Sequence, residues 1–327
     1  MRASVRAESW PIRGGFRIAR GAKTTAEVVV VELVGEHGTG RGEAVPYARY
    51  GESVDSVVDT LENAAGRLDS GSVSEALGPR ARGAAKNALD CAWWDLRAKE
   101  SDTPVWSLAG LGQAPGAVTT MRTVSVDTPE SMHDAACALT SALVIKVKVD
   151  GGRDLERIEA VHAAAPDAEL VVDANESWSV EQTKAWLPEL ARFGVSVLEQ
   201  PLSVADDEAL EAIPHPVPIC ADESFHVRSS LGPLQGRYDM VNIKLDKTGG
   251  LTEALACMEL AQGHGFRTMV GCMVSTSLAV EPALLLAESA DYVDLDGPLL
   301  LESDREGAQH DRERGLLRPS PRVWGAP

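Results

Sequence analysis

Two regimes of hydrophobic patterning divide the chain. Over about residues 1–112, Ala3–Trp10 and Glu27–Leu33 read as strands. The second is a β-branched run that stops near the turn Gly35-Glu36-His37-Gly38. A loop containing Gly and Arg, Arg13–Lys23, separates them. Ser53 can cap a helix reaching Leu68. Ala81–Lys99 then runs unbroken, with Ala84, Ala88, Ala92 and Leu96 four apart on one face. Strands followed by helices predict a small α+β unit.

From about Ala117 to Asp296, short apolar strands alternate with periodic helical segments. The strands expected are Val118–Val124, Val144–Val149, Glu169–Asp173, Val195–Glu199, Pro218–Ala221, Met240–Lys244, Thr268–Gly271 and Tyr292–Asp294. Helical segments such as Asp154–Ala165, Val180–Phe193 and Leu251–His264 lie between them. Such alternation requires parallel strands joined by crossover helices. Eight strands in roughly 180 residues predict a compact, closed (β/α) barrel of the TIM type. The competitor is an open doubly wound sheet, but no GxGxxG follows the first strand to support it. A tail, residues 297–327, is rich in Pro, Arg and Asp and is expected to pack back on the first unit.

Bulk composition narrows the class. The 327 residues, 44% hydrophobic and 24% charged, can bury a large core without disulfide staples. A formal net charge of −18 repels nucleic acid and anionic membranes, so neither is an expected partner. Part of the acid excess can instead form a cation site. The cysteines, Cys91, Cys137, Cys220, Cys257 and Cys272, are scattered and never spaced CxxC. They read as reduced core thiols of a cytosolic protein, not as a zinc site. No apolar run is long enough to span a membrane, and the first ten residues lack the apolar stretch of a secretory signal. A cytoplasmic location is expected.

The chemistry-bearing residues fall at the C-terminal ends of consecutive strands, the catalytic face of such a barrel. Side-chain alternation puts Lys146 and Lys148 on one face of their strand, opposite Ile145, Val147 and Val149. Asp173, Glu199, Asn242 and Lys244 likewise oppose apolar neighbours. The apolar faces can pack on the outer helices, which turns the charged faces into the barrel mouth. Buried together, those charges must compensate one another. Asp173, Glu199 and Asp222 come one each from three successive strands. Three such carboxylates suit Mg²⁺, with Mn²⁺ also acceptable, and the lack of His and Cys argues against zinc. Taken singly, each could be a solvated strand end; grouped with inward lysines, they read as a metal site.

Lys148 and Lys244 flank the three carboxylates from the second and sixth strands. A lysine at its ordinary pKa of about 10.4 is a poor base at neutral pH. Nearby positive charge, from a metal and from Lys146, would favour the neutral amine. A metal would also stabilise the enolate formed when a proton leaves the carbon next to a carboxylate. Two bases on opposite faces permit removal from one side and return from the other. The plainer alternative is that these lysines only salt-bridge the carboxylates.

Together these residues resemble the enolase superfamily in its muconate-lactonizing subgroup, for which lysine bases with Mg²⁺ are known chemistry. The stretches Ala88-Leu-Asp-Cys-Ala-Trp-Trp-Asp-Leu96, Asp173-Ala-Asn-Glu-Ser-Trp178, Leu198-Glu-Gln-Pro201 and Ala221-Asp-Glu-Ser224 carry the resemblance. It implies an α/β fold with an N-terminal α+β capping domain (1–112) over a modified (β/α) TIM-type barrel (113–296), followed by the tail. On the last strand, Asp294 and Asp296 share a face and suit an ammonium group. This is similar to the dipeptide epimerases, where such a pair holds a free amino terminus. Ala48-Arg-Tyr-Gly-Glu-Ser53, Met240–Ala254 and Gly271-Cys-Met273 resemble the bacterial L-Ala-D/L-Glu epimerases in particular.

That resemblance implies a small dipeptide substrate, a place in murein peptide recycling and a possible homo-oligomer. It makes Lys148 and Lys244 the bases and puts Lys146 on the substrate carboxylate. Thr123, Cys272, Asp294 and Asp296 would line the pocket. A glutamyl side chain needs a cation, for which arginine is well suited. Arg20 is the first candidate, with Lys23 and Arg49 as alternatives. Lys247 is expected in a loop or at the pocket rim. Alternatives within the fold are another dipeptide specificity, o-succinylbenzoate synthase, N-succinylamino acid racemase and muconate cycloisomerase. A non-catalytic barrel that binds a metal or a partner is the alternative of a different class.

Overall fold

A long antiparallel hairpin opens the fold. Strands β1 (Arg2–Ile18) and β2 (Gly21–Val34) pair from Arg2↔Val34 to Ile18↔Gly21, with one register shift between Pro11 and Phe16. The stretch Arg13–Lys23 is therefore not a loop, as expected from its glycines, but the far end of this hairpin. Gly14 and Gly15 adopt left-handed backbone (φ 67° and 80°), which absorbs the irregularity and lets pairing resume. The structure, a computed structural model, describes residues 2–65, 67, 76–78 and 81–327.

Strand β3 (Thr39–Ala44) pairs with β2, and helix Ala84–Glu100 lies across it. A Cβ at Gly40 or Gly42 would sit 2.2 Å from the Ala92 carbonyl or 2.1 Å from that of Ala88. Small residues on both sides thus allow the close approach that the alanine stripe foreshadows. Helix Val54–Ala65 follows Ser53, whose Oγ accepts from Ser56 N at 3.1 Å. Its expected end at Leu68 lies outside the described residues.

Next come β4 (Val118–Thr119), β5 (Arg122–Val124), β6 (Val144–Lys148), β7 (Glu169–Asp173), β8 (Val195–Glu199), β9 (Ile219–Ala221), β10 (Met240–Lys244), β11 (Arg267–Gly271) and β12 (Tyr292–Asp294). Strands β5 to β12 form one parallel sheet in sequence order. The sheet closes on itself where Met121 N donates to Val293 O at 2.9 Å and Leu295 N to Thr120 Oγ1 at 2.7 Å. That closure breaks the expected strand Val118–Val124 at Thr120–Met121. Its first part, β4, pairs instead with the tail.

The barrel interior has two layers. Met121, Val171, Val197, Cys220, Met240 and Met269 form an apolar floor. Two residues further along, the same faces carry Thr123, Asp173, Glu199, Asp222, Asn242 and Gly271. Outward residues such as Ile145, Val172, Leu198, Val241 and Ile243 join Ile158, Leu187, Ala254 and Leu278 of the surrounding helices in the main core. The tail forms β13 (Gln309–Asp311) and β14 (Leu316–Arg318), and β14 pairs with β4. Beyond it, Trp324 Nε1 donates to Cys91 O at 3.0 Å and Gly325 N to Asp95 Oδ1 at 2.8 Å, on helix Ala84–Glu100. All five cysteines are free thiols, but not all are in the core as expected: Cys91, Cys220 and Cys257 are buried, Cys272 is half-buried and Cys137 is exposed. Among the described residues no helix is long and apolar enough to cross a membrane.

Candidate active site

A cavity of about 360 Å³ lies between the end of the β1–β2 hairpin and the C-terminal ends of the barrel strands. Phe16, Ile18, Arg20, Lys23 and Tyr47 line it from above. Thr123, Lys146, Lys148, Asp222, Lys244, Cys272, Asp294 and Asp296 line it from the barrel. Asp173 and Glu199 lie just behind this surface, fully buried. The structure thus gathers every candidate residue at one place.

Ion pairs organise the charges. Lys146 Nζ donates to Asp294 Oδ2 at 2.7 Å and stands 2.6 Å from Glu199 Oε2 and 3.1 Å from Asp173 Oδ2. Lys148 Nζ donates to Asp173 Oδ2 and, at 3.3 Å, to Asn175 Oδ1. Lys244 Nζ donates to Asp222 Oδ2 at 2.7 Å. Burial pushes the Lys146 and Lys244 amines toward neutrality, but the facing carboxylates outweigh it. Both pKa values lie well above the ordinary lysine value. Lys146 does lower the Lys244 value, as expected of a neighbouring cation, but the carboxylates around the pair outweigh it. Asp173 and Asp222 are driven the opposite way. Burial alone would raise them, yet Lys148 and Lys146 beside one, and Lys244 and Lys247 beside the other, hold both below the carboxylate range.

At the other wall, Thr123 N donates to Asp296 Oδ2 at 2.8 Å. Burial and the nearby Asp294 push Asp296 up to about 6. Two adjoining buried acids, with Lys146 between Asp294 and the Asp173 and Glu199 carboxylates, make a site that favours a further cation. The Cys272 thiol, half-buried beside the same two acids, is pushed up by desolvation and their charges and stays protonated.

Arg20 reaches the barrel rather than open solvent. Its guanidinium donates to Glu223 Oε1 (2.6 Å), Tyr47 Oη (2.9 Å), Asn175 O (2.9 Å) and Glu176 Oε2 (3.3 Å). Arg49 forms a forked pair with Glu176 at 2.7 and 2.8 Å. Lys23, by contrast, has no carboxylate within ion-pair distance among the described residues. It lies 5.6 Å from the centre of the Tyr47 ring, and although it is exposed, partial desolvation lowers its pKa. Lys247 corrects a sequence expectation. It is fully buried behind Asp222, because the short helix Leu245–Thr248 turns it back beneath β10.

Several participants carried no role in the sequence reading. Asn242 Nδ2 donates to Glu199 Oε1 at 2.9 Å. Asn175 and Glu176 adopt left-handed backbone (φ 44° and 67°), uncommon for non-glycine residues. Glu223, beside Asp222, is pushed up to about 7 by burial and by the Asp222 and Asp173 charges. The signals available were their position at strand ends and their place within the stretches that carry the family resemblance.

Lysine ammoniums stand between the acids, and among the described residues no three His, Cys, Asp or Glu side chains are grouped so as to hold a metal ion. The donor chemistry nevertheless fits a hard divalent cation. All three acids offer oxygen from adjacent rigid strands, with no His or Cys among them. Glu199 Oε2 is buried, and despite its closeness to Lys146 it accepts no well-aligned hydrogen bond.

This barrel, cap and ring of strand-end acids and lysines define a class. Residues 1–110 match the mandelate racemase / muconate lactonizing enzyme N-terminal domain family, and residues 131–320 match the enolase C-terminal domain-like family. The chain belongs to the enolase superfamily. Among its relatives, the L-Ala-D/L-Glu epimerase of Escherichia coli (strain K12) is 49% identical over 304 residues, covering 92% of this chain and 94% of that protein. An N-acetyl-D-glutamate racemase of Pseudoalteromonas sp is 44% identical, covering 85% and 89%. Solved structures agree with the fold. An Agrobacterium tumefaciens enolase family member with homology to dipeptide epimerases, bound to sodium and L-Ala-L-Glu, superposes with a TM-score of 0.95 at 42% identity and covers 99% of both chains. A dipeptide epimerase of Enterococcus faecalis V583, complexed with Mg and L-Leu-L-Tyr, gives 0.90 at 28% identity and covers 99% of this chain and 97% of that one.

Proposed function

We propose that the protein is a divalent-metal-dependent dipeptide epimerase that interconverts L-Ala-D-Glu and L-Ala-L-Glu. The observation that carries this reading is the shared cavity. Lys148 and Lys244 enter it from β6 and β10, and the Asp294–Asp296 pair faces it from the end of β12. Asp173, Glu199 and Asp222 would hold the cation, with Mg²⁺ as the expected ion. When bound, the cation supplies positive charge to the substrate carboxylate as its α-carbon becomes anionic. One lysine then takes the α-proton and the other returns a proton to the opposite face, which inverts the centre. Each lysine must be neutral to act as a base, so occupation of the acids that now pair with the ammoniums is part of activation. Asp294 and Asp296 would hold the dipeptide's free ammonium.

The glutamyl carboxylate is best matched to Lys23. Arg20 already donates to four acceptors, one of them the buried Glu223 carboxylate, and serves better as a wall. With such a substrate, the reaction belongs to the reuse of cell-wall peptides.

A second reading is N-acylglutamate racemase, favoured by the Pseudoalteromonas relative. An N-acyl substrate brings no ammonium to Asp294 and Asp296, which leaves that pair without a function. One experiment decides between them. The protein is incubated with Mg²⁺ in heavy water and either L-Ala-D-Glu or N-acetyl-D-glutamate, and the α-proton signal is followed by NMR. Exchange and a second diastereomer with the dipeptide are expected. Turnover of N-acetyl-D-glutamate alone would refute the epimerase assignment.

A further inference from the structure

Lys247 is among the largest fully buried side chains of the protein, and the mechanism above does not use it. Burying an ammonium is costly unless its protons find strong acceptors. Here it has three. Nζ donates to Asp222 Oδ1 at 2.6 Å, Asp222 O at 2.6 Å and Asn242 O at 2.9 Å. The same ammonium lies 5.8 Å from the centre of the Phe225 ring, three residues beyond Asp222. Lys247 therefore grips both the side chain and the backbone of the β9 strand end, and ties them to β10.

The two oxygens of Asp222 are thereby made unequal. Oδ1 is held from behind by Lys247, which does not line the cavity. Oδ2 faces Lys244, which does. We propose that Lys247 is a positioning residue for the metal. By fixing Asp222 Oδ1 and the Asp222 carbonyl, it would hold the carboxylate so that Oδ2 faces the cavity where the cation would bind. This rests on the reading of Asp222 as a metal ligand. Hydrogen-bonding partners behind a ligand orient it, and losing one typically weakens metal binding by about 10- to 100-fold.

Charge alone predicts the opposite. A fixed ammonium beside a cation site repels the cation, so removing it should tighten binding. The sign of the change thus separates positioning from plain electrostatics. Asn242 acts in parallel, since its Nδ2 holds Glu199 Oε1. Strand β10 and the turn after it therefore steady two of the three acids.

The test is calorimetric titration of Mg²⁺ into the wild type, Lys247→Met and Lys247→Gln, each checked for folding by circular dichroism. We expect the folded methionine variant to bind Mg²⁺ about 10- to 100-fold more weakly. The glutamine variant, which keeps an amide donor, should fall between it and the wild type. Unchanged or tighter binding in either folded variant overturns the proposal. If Lys247→Met does not fold, Lys247→Gln decides by the same criterion. If neither folds, the lysine is a staple of the fold and the positioning role is overturned. A wild type that binds no Mg²⁺ would instead sink the metal-ligand reading of Asp222.

Discussion

Replacing Lys23 with Met tests how an acidic side chain is read. Lys23 lines the cavity from the hairpin and has no carboxylate partner among the described residues. A charge-assisted hydrogen bond between its ammonium and a glutamyl carboxylate contributes about 1.5–3 kcal/mol. Lys23 is exposed enough for solvent to screen that bond, so the lower end applies. At about 1.4 kcal/mol per tenfold, Lys23→Met should lower kcat/KM for L-Ala-L-Glu roughly 10- to 30-fold. It should leave kcat/KM for L-Ala-L-Leu unchanged or improved. Arg20→Met should behave differently. It strips the buried Glu223 of its partner and so damages the site for every substrate. The assay is epimerisation of both dipeptides followed by NMR, with the ratio of their kcat/KM values as the readout. An unchanged ratio in Lys23→Met, or a ratio shifted by Arg20→Met instead, would refute the assignment.

Lys148→Ala and Lys244→Ala should each abolish epimerisation, while one retains α-proton exchange from a single diastereomer in heavy water; full turnover in either variant would sink the two-base scheme. At Gly271 a Cβ would stand 2.5 Å from Asn242 Oδ1 and 3.0 Å from Lys244 Cε. Gly271→Ala should therefore cost about 1–3 kcal/mol in chemical denaturation and displace the base and the support of Glu199 together, with a loss of roughly 100-fold in kcat. Normal kcat would show that the strand end can yield. Glu281, buried in helix Ser277–Ala287 and accepting from Ser320 N, is pushed up to about 8 by burial, with Asp304 adding to the effect. Between about pH 5 and 8 the folded state keeps a proton that the unfolded chain has lost, so this group lowers stability as pH rises through that window. Glu281→Gln should flatten the decline by a few kcal/mol, roughly 3–5 at most, as measured by urea melts at pH 5 and pH 8; parallel curves for both proteins would contradict it.

The barrel was legible because its strands are short apolar runs with sharp ends. Glu169–Asp173, Val195–Glu199, Met240–Lys244 and Tyr292–Asp294 are found as expected. Alternation also predicted which side chains turn inward, since a pleated strand leaves no other choice once the helices cover one face. What escaped depends on long-range geometry. Pairing across the barrel seam breaks Val118–Val124, and no local pattern announces a partner about 170 residues away. Glycines that look like a loop between Arg13 and Lys23 instead permit a bulge in a continuous hairpin. Lys247 sits one helical turn past Lys244, and only the tight turn of the chain there shows that it points down behind Asp222 rather than out to the rim. Sequence placed Arg20 ahead of Lys23 and Arg49, but what separates them lies in partners from distant strand ends.

The apolar floor beneath the charged layer also bears on traffic. Met121, Val171, Val197, Cys220, Met240 and Met269 close the barrel below the lysines. Substrate, product and the protons that lysines exchange with water must then all pass on the capped side, across the hairpin end that carries Lys23. If Lys23 reads the side chain as proposed, the element that reads it is also the doorway. A tighter grip on a glutamyl group would then lengthen product residence and set selectivity against turnover at the same few residues.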